Sequence, residues 1–287
     1  MLPSPKRTAH ERARAAASRG ALRPARRDRA QPEGAPLSAP WPFPRWIAHR
    51  GAGKLAPENT LAAFRVGASH GYRAFECDVK LSADGVPFLL HDSTLQRTTS
   101  GHGPAAAQSW AELSRLDAGG WHSRAFAGEP PPSLAAIARF CLRNAFALDL
   151  EIKPSPGQER ETGRVVGAMA AALWSAPASA PLLLTSFEPS ALEGARETAP
   201  QLQRGLLLDA LRPGWLAEAT ALGCVAVVTN YSAMDAGVLA ALHGAGLRGL
   251  VYTVNDPAEA RRLDGLGVDG IVTDAVDRFS AGSGVVD

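Results

Sequence analysis

Cysteine and long apolar runs are scarce in this chain of 287 residues. Its three cysteines, Cys77, Cys141 and Cys224, are odd in number and far apart. That pattern excludes a disulfide framework and the usual spacing of a zinc site, and it favours a reducing cytoplasm. No run of 18 or more apolar residues occurs, so we expect no stable membrane insertion.

The excess of basic residues is confined to the start of the chain. Residues 1–40 hold nine Lys or Arg against three Asp or Glu, and the other 247 residues hold 21 against 25. Nucleic-acid binding needs a basic face on the folded domain, so composition argues against a nucleic-acid partner. The tail lacks the apolar core of a signal peptide, and we predict that residues 1–40 are disordered and uncleaved. A polyanion-binding or targeting arm is the alternative.

From Trp46 onward, short apolar runs alternate with longer amphipathic segments, a pattern typical of βα units with parallel strands. The predicted strands are 46–49, 74–81, 146–152, 182–187, 203–208, 224–229, 249–254 and 270–273. The predicted helices are 58–70, 133–144, 158–174, 189–198, 212–221, 234–244 and 257–265. We therefore predict an α/β fold, a TIM (β/α)8 barrel over residues 41–280, followed by a short tail at 281–287. A doubly wound open sheet is the alternative.

One apolar run, residues 86–91, does not fit the repeat. Only the four residues SADG join it to the second strand, too few for a parallel crossover. Asp84-Gly85 is a strong signal for a two-residue hairpin turn, and the resulting register would place His91 opposite Asp78.

Residues 93–132 show no clear periodicity and contain the sequences GHG, GG and PPP. Loops of this length are usually lids or binding segments, so we predict an insertion beside the site. Its aromatic residues Trp110, Trp121 and Phe126 either shape the pocket or pack the insertion onto the barrel.

Charged side chains gather where the predicted strands end. Alternation places Glu76 and Asp78 on one face of the second strand, and Glu151 and Lys153 on one face of the third. In TIM barrels, reacting groups lie at the carboxyl ends of the strands. Carboxylates that face one another need a cation between them, which predicts a site for a hard divalent ion such as Mg²⁺ or Ca²⁺. Taken singly, each such residue more often belongs to an ion-paired, solvated face.

The motifs, in order and spacing, resemble those of the glycerophosphodiester phosphodiesterase family. They are HRG (49–51), PENT (57–60), E-x-D (76–78), DG (84–85), HD (91–92), EIK (151–153), TVN (253–255) and the closing GVDGIVTD (267–274). The finer similarity is to the bacterial cytosolic branch associated with glycerol-phosphate uptake. One departure is Tyr252, where many members of the family have Trp.

The resemblance implies a role for each matched residue. His49 and His91 would be the general base and general acid, and Glu76, Asp78 and Glu151 would hold a divalent metal ion, either Mg²⁺, Ca²⁺ or Mn²⁺. The remaining contacts would be to the substrate: Arg50 and Lys153 to its phosphate, and Tyr252 and Asn255 to its other groups.

The function implied is metal-dependent hydrolysis of small glycerophosphodiesters to sn-glycerol 3-phosphate and an alcohol. The nucleophile would be the substrate's own glycerol hydroxyl, through a cyclic phosphate that water opens. Two alternatives are a lysophospholipase D-like activity on lysophospholipids and a non-catalytic barrel that binds glycerophosphodiesters. The sequence leaves the oligomeric state open.

Overall fold

The computed structural model describes residues 40–176, 180–280 and 284–285. Within these residues, nine strands form one sheet, which closes on itself. The sheet contains β1 (Trp46–Ala48), β2 (Ala74–Leu81), β3 (Pro87–Leu89), β4 (Ala147–Ile152), β5 (Leu182–Ser186), β6 (Gln203–Leu208), β7 (Ala226–Asn230), β8 (Arg248–Tyr252) and β9 (Gly270–Thr273). Residues 1–39, where the basic tail was predicted, lie outside the described residues. Within the predicted C-terminal tail, β11 (Gly284–Val285) pairs antiparallel with β10 (Phe279–Ser280).

Helices connect the strands. They are α1 (Leu61–Ser69), α2 (Trp110–Leu113), α3 (Leu134–Arg143), α4 (Glu159–Leu173), α5 (Pro189–Thr198), α6 (Trp215–Ala221), α7 (Ala236–Gly244) and α8 (Pro257–Leu266). Local sequence explains several of their ends: the Thr60 side chain accepts from Ala63 N at the start of α1, and Asp256 caps α8 before Pro257. In the part of the chain described, no helix is both long and apolar enough to cross a membrane.

The sheet closes because β1 pairs in parallel with both β9 and β2. Every neighbouring pair in the ring is parallel, and β3 lies outside it as an antiparallel partner of β2. The predicted TIM barrel with a hairpin after the second strand is therefore confirmed, and the open sheet is excluded.

The predicted register of the hairpin is wrong by one residue. Lys80 pairs with Phe88 and Val79 with Leu89, so the position opposite Asp78 belongs to Leu90, whose N–H donates to the Asp78 carbonyl. The loop contains three residues, 83–85, because Ser82 and Val86 close it. The Ser82 N–H donates to the Val86 carbonyl, and the Val86 N–H donates to the Ser82 hydroxyl. Gly85 takes the left-handed conformation that such a loop requires, with φ of 76°.

The interior of the barrel is apolar below and charged above. Alternation points Ile47, Ala74, Ala147, Leu183 and their counterparts on the other strands into one buried cluster, which Phe43 joins. The next inward positions, two residues further along β2 and β4, are Glu76 and Asp149. Polar groups therefore begin one layer above the apolar floor, at the carboxyl ends of the strands.

The insertion has its own small core. Leu95, Ala105 and Leu113 pack with Phe88 and Leu90, and Trp110 packs against this cluster. Phe126 packs on the main core, whereas Trp121 is 43% exposed. Of the two roles considered for these aromatic residues, packing describes Trp110 and Phe126, and neither of them lines the barrel cavity.

Candidate active site

A cavity of about 300 Å³ opens at the carboxyl end of the barrel. Seven of the nine site residues predicted from the sequence line it: His49, Arg50, Glu76, His91, Glu151, Lys153 and Tyr252. Asp78 lies buried between Glu76, Glu151 and Arg50. Asn255 lies elsewhere, beside a separate surface cavity.

His49 follows β1 and is held from behind by an aspartate. Its Nδ1 lies 2.6 Å from Asp274 Oδ1, and its Nε2 lies 3.7 Å from Glu76 Oε2. Asp274 is oriented in turn by Asn255, which donates to its other carboxylate oxygen at 2.9 Å and accepts from its backbone N–H. With Asp274 ionised, His49 Nδ1–H donates to it, so the tautomer that fits leaves Nε2 without a proton and able to accept one.

Burial raises the pKa of Asp274, but the hydrogen bond and charge of His49 outweigh it, so this pKa is below the usual value. The aspartate therefore remains ionised at neutral pH, as the orientation of the imidazole requires.

The loop after His49 is strained in a way that aims its backbone at the site. Arg50 has a φ of 51°, and its N–H donates to Glu76 Oε2 at 3.0 Å. Gly53 also has a positive φ, and a Cβ there would lie 2.1 Å from the Asp274 carbonyl oxygen. Only glycine at position 53 therefore lets the loop approach the segment that carries Asp274.

His91 lies just beyond β3 and also has an aspartate at its Nδ1. The distance from Nδ1 to Asp92 Oδ1 is 2.7 Å. Burial lowers the pKa of His91, and the opposing charge of Asp78 does not fully offset this. A lowered pKa makes His91 readier to give up a proton at neutral pH.

Three buried carboxylates converge in the same site. Glu76, Asp78 and Glu151 are 6%, 1% and 8% exposed, and each offers one oxygen within 4.8 Å of the other two. Asp78 Oδ1 is buried without a hydrogen-bond partner, although Lys153 Nζ lies 3.4 Å away. Oxygen donors clustered in this way suit a hard divalent cation, so these three residues could hold a metal ion.

The pKa values of these three carboxyl groups indicate a shortage of positive charge in the cluster. Burial, followed by the charges of Asp78 and Glu151, raises the pKa of Glu76 well above its usual value. Burial and Asp78 raise the pKa of Glu151 to about 7. Burial would raise that of Asp78 too, but Arg50 and Lys153 outweigh it and lower its pKa. The cluster as a whole is short of positive charge.

Two cations, Arg50 and Lys153, contact the cluster. Lys153 Nζ donates to Glu151 Oε1 at 2.9 Å, and Arg50 Nε approaches Asp78 Oδ2 at 3.3 Å. Both side chains border the cavity, so their positive charge is available to an anion that enters it.

Another part of the cavity lining is aromatic and apolar. The rings of Phe187 and Tyr252 meet edge to face at 5.9 Å, beside Leu207 and Val228. The Tyr252 hydroxyl donates to the Leu208 carbonyl at 3.2 Å. An apolar surface next to cationic groups, with Lys153 Nζ 5.8 Å from the centre of the Phe187 ring, suits a ligand with a charged end and a carbon skeleton.

Sequence reasoning did not single out the partners that orient these residues. Asp274, Asp92, Glu58 and Asn59 each bond to a predicted site residue: Glu58 Oε1 accepts from Arg50 Nη1 at 2.9 Å, and Asn59 Nδ2 donates to Asp78 Oδ2 at 2.8 Å. The sequence signal that could have identified them is their position inside the motifs, next to the predicted site residues.

Comparisons with known proteins agree with one another. The sequence profile of the Glycerophosphoryl diester phosphodiesterase family matches residues 49–278. A glycerophosphodiester phosphodiesterase of Caldanaerobacter subterraneus subsp. tengcongensis is 30% identical over 234 residues, which cover 79% of this chain and 93% of the relative.

Solved structures show the same likeness. An Oleispira antarctica phosphodiesterase in complex with the product sn-glycerol-3-phosphate superposes with a TM-score of 0.75 at 34% identity, covering 81% of this chain and 93% of that one. A glycerophosphodiester phosphodiesterase from Agrobacterium tumefaciens gives a TM-score of 0.67 at 28% identity, with coverages of 82% and 98%. This chain therefore belongs to the glycerophosphoryl diester phosphodiesterase family.

Proposed function

We propose that this glycerophosphodiester phosphodiesterase releases sn-glycerol 3-phosphate and an alcohol by a metal-dependent reaction, with His49 as general base and His91 as general acid. The observation that carries the proposal is a pair of imidazoles that line the same cavity as two members of the carboxylate cluster. Each has its Nδ1 on an aspartate, at 2.6 Å and 2.7 Å.

His49 takes the first proton. With Nδ1 on Asp274, its Nε2 is the free acceptor, and it removes the proton of the substrate's glycerol hydroxyl as that oxygen attacks phosphorus. The bond from phosphorus to the alcohol oxygen breaks, and His91 gives its proton to the departing oxygen. The intermediate is a cyclic phosphate of glycerol.

Water then opens the cyclic phosphate with the roles reversed. His91, now neutral, takes a proton from water, and His49 returns its proton to the glycerol oxygen. Both histidines are restored to their starting states, so the two steps balance in protons.

Developing negative charge on the phosphoryl oxygens is met by Arg50 and Lys153, which border the cavity. Glu76, Asp78 and Glu151 would hold a divalent ion, Mg²⁺, Ca²⁺ or Mn²⁺. When bound, such an ion supplies Lewis-acid stabilisation of the phosphoryl group. Tyr252, together with Phe187, would contact the carbon skeleton of the substrate.

The cavity volume of about 300 Å³ favours a small diester over a lysophospholipid, whose acyl chain would extend beyond it. We also infer a cytoplasmic location, supported by the three cysteines, which are all buried free thiols.

The test is release of glycerol 3-phosphate from glycerophosphocholine, followed by a coupled dehydrogenase, with lysophosphatidylcholine assayed alongside. We expect His49→Ala and His91→Ala each to lower kcat by at least about 100-fold, because each proton transfer contributes about that much. His102→Ala is the matched control, since His102 is exposed and does not line the cavity.

Chelation should abolish activity, and Mg²⁺, Ca²⁺ or Mn²⁺ should restore it. Near-normal turnover in either histidine variant would overturn the acid and base assignment. Full activity after exhaustive chelation would remove the metal ion from the scheme, and faster turnover of lysophosphatidylcholine would favour the lipid substrate.

A further inference from the structure

A single arginine of the insertion joins two carboxylates from separate parts of the chain. Arg97 Nε lies 2.6 Å from Asp92 Oδ2, and its Nη2 lies 2.9 Å from Asp92 Oδ1. The other edge of the guanidinium meets Glu58, with Nη1 and Nη2 each 2.8 Å from one carboxylate oxygen. Paired contacts of this kind fix orientation as well as distance.

Each of these carboxylates holds a cationic or protonatable group that borders the cavity. Asp92 Oδ1 bonds to His91 Nδ1, and Glu58 Oε1 accepts from Arg50 Nη1. The contacts therefore form one continuous path from His91 through Asp92, Arg97 and Glu58 to Arg50. Arg97 itself is not among the residues that line the cavity.

The two ends of this path lie on separate elements of the fold. Arg50 lies in the loop between β1 and α1, with a left-handed backbone. His91 follows β3, the one strand outside the parallel ring. Both ends are also tied to β2, Arg50 through its N–H to Glu76 Oε2 and His91 through the pairing of β3 with β2. The bridge at Arg97 adds a direct link between the side chains themselves.

The pKa values of Asp92 and Glu58 fit a role of Arg97 in holding both carboxylates. The hydrogen bond from Arg97 is the largest cause that lowers the pKa of Asp92, which keeps that carboxylate ionised as an acceptor for His91. Burial raises the pKa of Glu58, but Arg97 and Arg50 outweigh it. Without Arg97, two anions would face each other across the space that it fills.

We propose that Arg97 is a positioning residue, which joins Asp92 to Glu58 and thereby holds His91 and Arg50 in register across the cavity. This inference rests on the proposed function, in which His91 protonates the leaving oxygen and Arg50 meets the phosphate. The competing explanation is an ordinary surface ion pair, because the side chain is 45% exposed and such pairs contribute little stability.

The chain contains a matched control for that explanation. Arg160 also bridges two carboxylates, Glu193 and Glu197, and its side chain is 56% exposed. Its bridge joins α4 to α5 on the outside of the barrel, away from the cavity. Arg160→Ala therefore removes the same kind of contact without touching the proposed machinery.

Kinetics with glycerophosphocholine test the proposal. Arg97→Ala should lower kcat/KM by about 10- to 100-fold, as loss of an orienting contact commonly does, whereas Arg160→Ala should stay within about twofold of the wild type. Arg97→Lys should recover little, because an ammonium cannot bind two carboxylates as a planar fork does. Methylguanidinium should restore Arg97→Ala several-fold and leave Arg160→Ala unchanged.

The two arms of the bridge should separate kinetically. We expect Asp92→Asn to act mainly on kcat, through His91, and Glu58→Gln mainly on KM, through Arg50, while Arg97→Ala changes both. A merely structural role would lower Tm without this split. Activity of Arg97→Ala within twofold of the wild type, or an equal loss in Arg160→Ala, would overturn the proposal.

A second readout keeps this test apart from that of the function. In ¹⁵N-histidine spectra, Arg97→Ala or Arg97→Lys should shift the His91 ring nitrogens and leave those of His102 in place. If the wild type released no glycerol 3-phosphate, the proposed function would fail, and these spectra would still decide whether Arg97 positions His91. Unmoved His91 signals in both variants would refute the positioning.

Discussion

At the level of single residues, the site depends on side chains that hold other side chains. Asn59 has a φ of 58° and bonds to Asp78 twice, through the carboxylate and through the backbone N–H. Asparagine tolerates the left-handed region better than most residues, and its amide supplies a donor and an acceptor together. Asp78 is thereby fixed without using the oxygen that faces Lys153.

A substitution at Asp274 tests whether such an orienting side chain matters for the site. Asp274→Asn keeps the shape of the side chain but can present an amide N–H to His49 Nδ1, which would favour the tautomer that carries its proton on Nε2. A base in that state cannot accept a proton, so we expect kcat to fall by at least about 100-fold.

Asp235→Asn is the control for this substitution, because Asp235 caps α7 and asparagine caps a helix nearly as well. It should leave kcat unchanged. If Asp274→Asn retained more than a tenth of wild-type turnover at neutral pH, the orientation of His49 by Asp274 would not matter for the base.

At the level of elements, the β2–β3 hairpin shows how a turn determines which residue faces the site. The three-residue loop, closed on Ser82, moves the pairing by one position from the two-residue expectation. A shift of one residue exchanges the two faces of a strand. His91 consequently follows β3 instead of pairing within it, and its carbonyl lies 3.4 Å from Lys80 Nζ.

Gly85 should be the residue on which this turn depends. A Cβ at this position would meet nothing within 4 Å, but the φ of 76° strains any residue other than glycine. We expect Gly85→Ala to lower the free energy of unfolding by about 1–2 kcal/mol, and Tm by about 2–8 °C for a chain of this size.

Gly265→Ala has the opposite expectation, because Gly265 lies in α8 with open space around it and without a positive φ. It should stabilise the protein by about 0.4–1 kcal/mol. Thermal unfolding of both variants measures the two changes in stability. A higher Tm in Gly85→Ala would show that the loop does not need a glycine at its left-handed position.

At the level of the whole molecule, the barrel collects acidic groups at one end and has too few cations to neutralise them. Burial raises the pKa of Asp149 to about 7, and burial with the Asp78 charge raises that of Glu151 to about 7. In an unfolded chain both groups titrate near pH 4. The folded protein therefore keeps protons that the unfolded chain has lost.

These pKa values set the sign of the pH dependence of the unfolding free energy in the metal-free protein. The contribution of these two groups is fully present below about pH 4 and is lost as pH rises through about 7. We expect chelated protein to lose on the order of 4 kcal/mol of unfolding free energy between pH 5.5 and 8, about 2 kcal/mol from each group. Urea unfolding at the two pH values measures the difference.

A divalent ion should reverse this trend, since it binds the ionised carboxylates and stabilises only the folded state. Saturating Mg²⁺, Ca²⁺ or Mn²⁺ should therefore raise Tm more at pH 8 than at pH 5.5. Glu151→Gln should weaken both the pH dependence and the response to metal. A chelated protein that became more stable between pH 5.5 and 8 would contradict the account.

Much of the fold was predictable from the sequence because its signals are local. Strand alternation placed Glu76, Asp78 and Glu151 on inward faces, where the structure has them buried together, and the short SADG link indicated a hairpin outside the parallel repeat. The family resemblance is confirmed by the profile match over residues 49–278. Backbone stereochemistry sets the period of a strand, so these features can be read from a few neighbouring residues.

Contacts between distant residues were decided only by the tertiary structure. Asp274 and His49 are 225 positions apart and meet because β9 pairs with β1 to close the barrel. Asn255, predicted to contact the substrate, bonds to Asp274 instead of reaching the main cavity. The sequence alone determined which residues face inward, because that is a property of each strand. Which aspartate orients each histidine, and how Arg97 joins Asp92 to Glu58, depends on barrel closure and loop geometry, which no local pattern encodes.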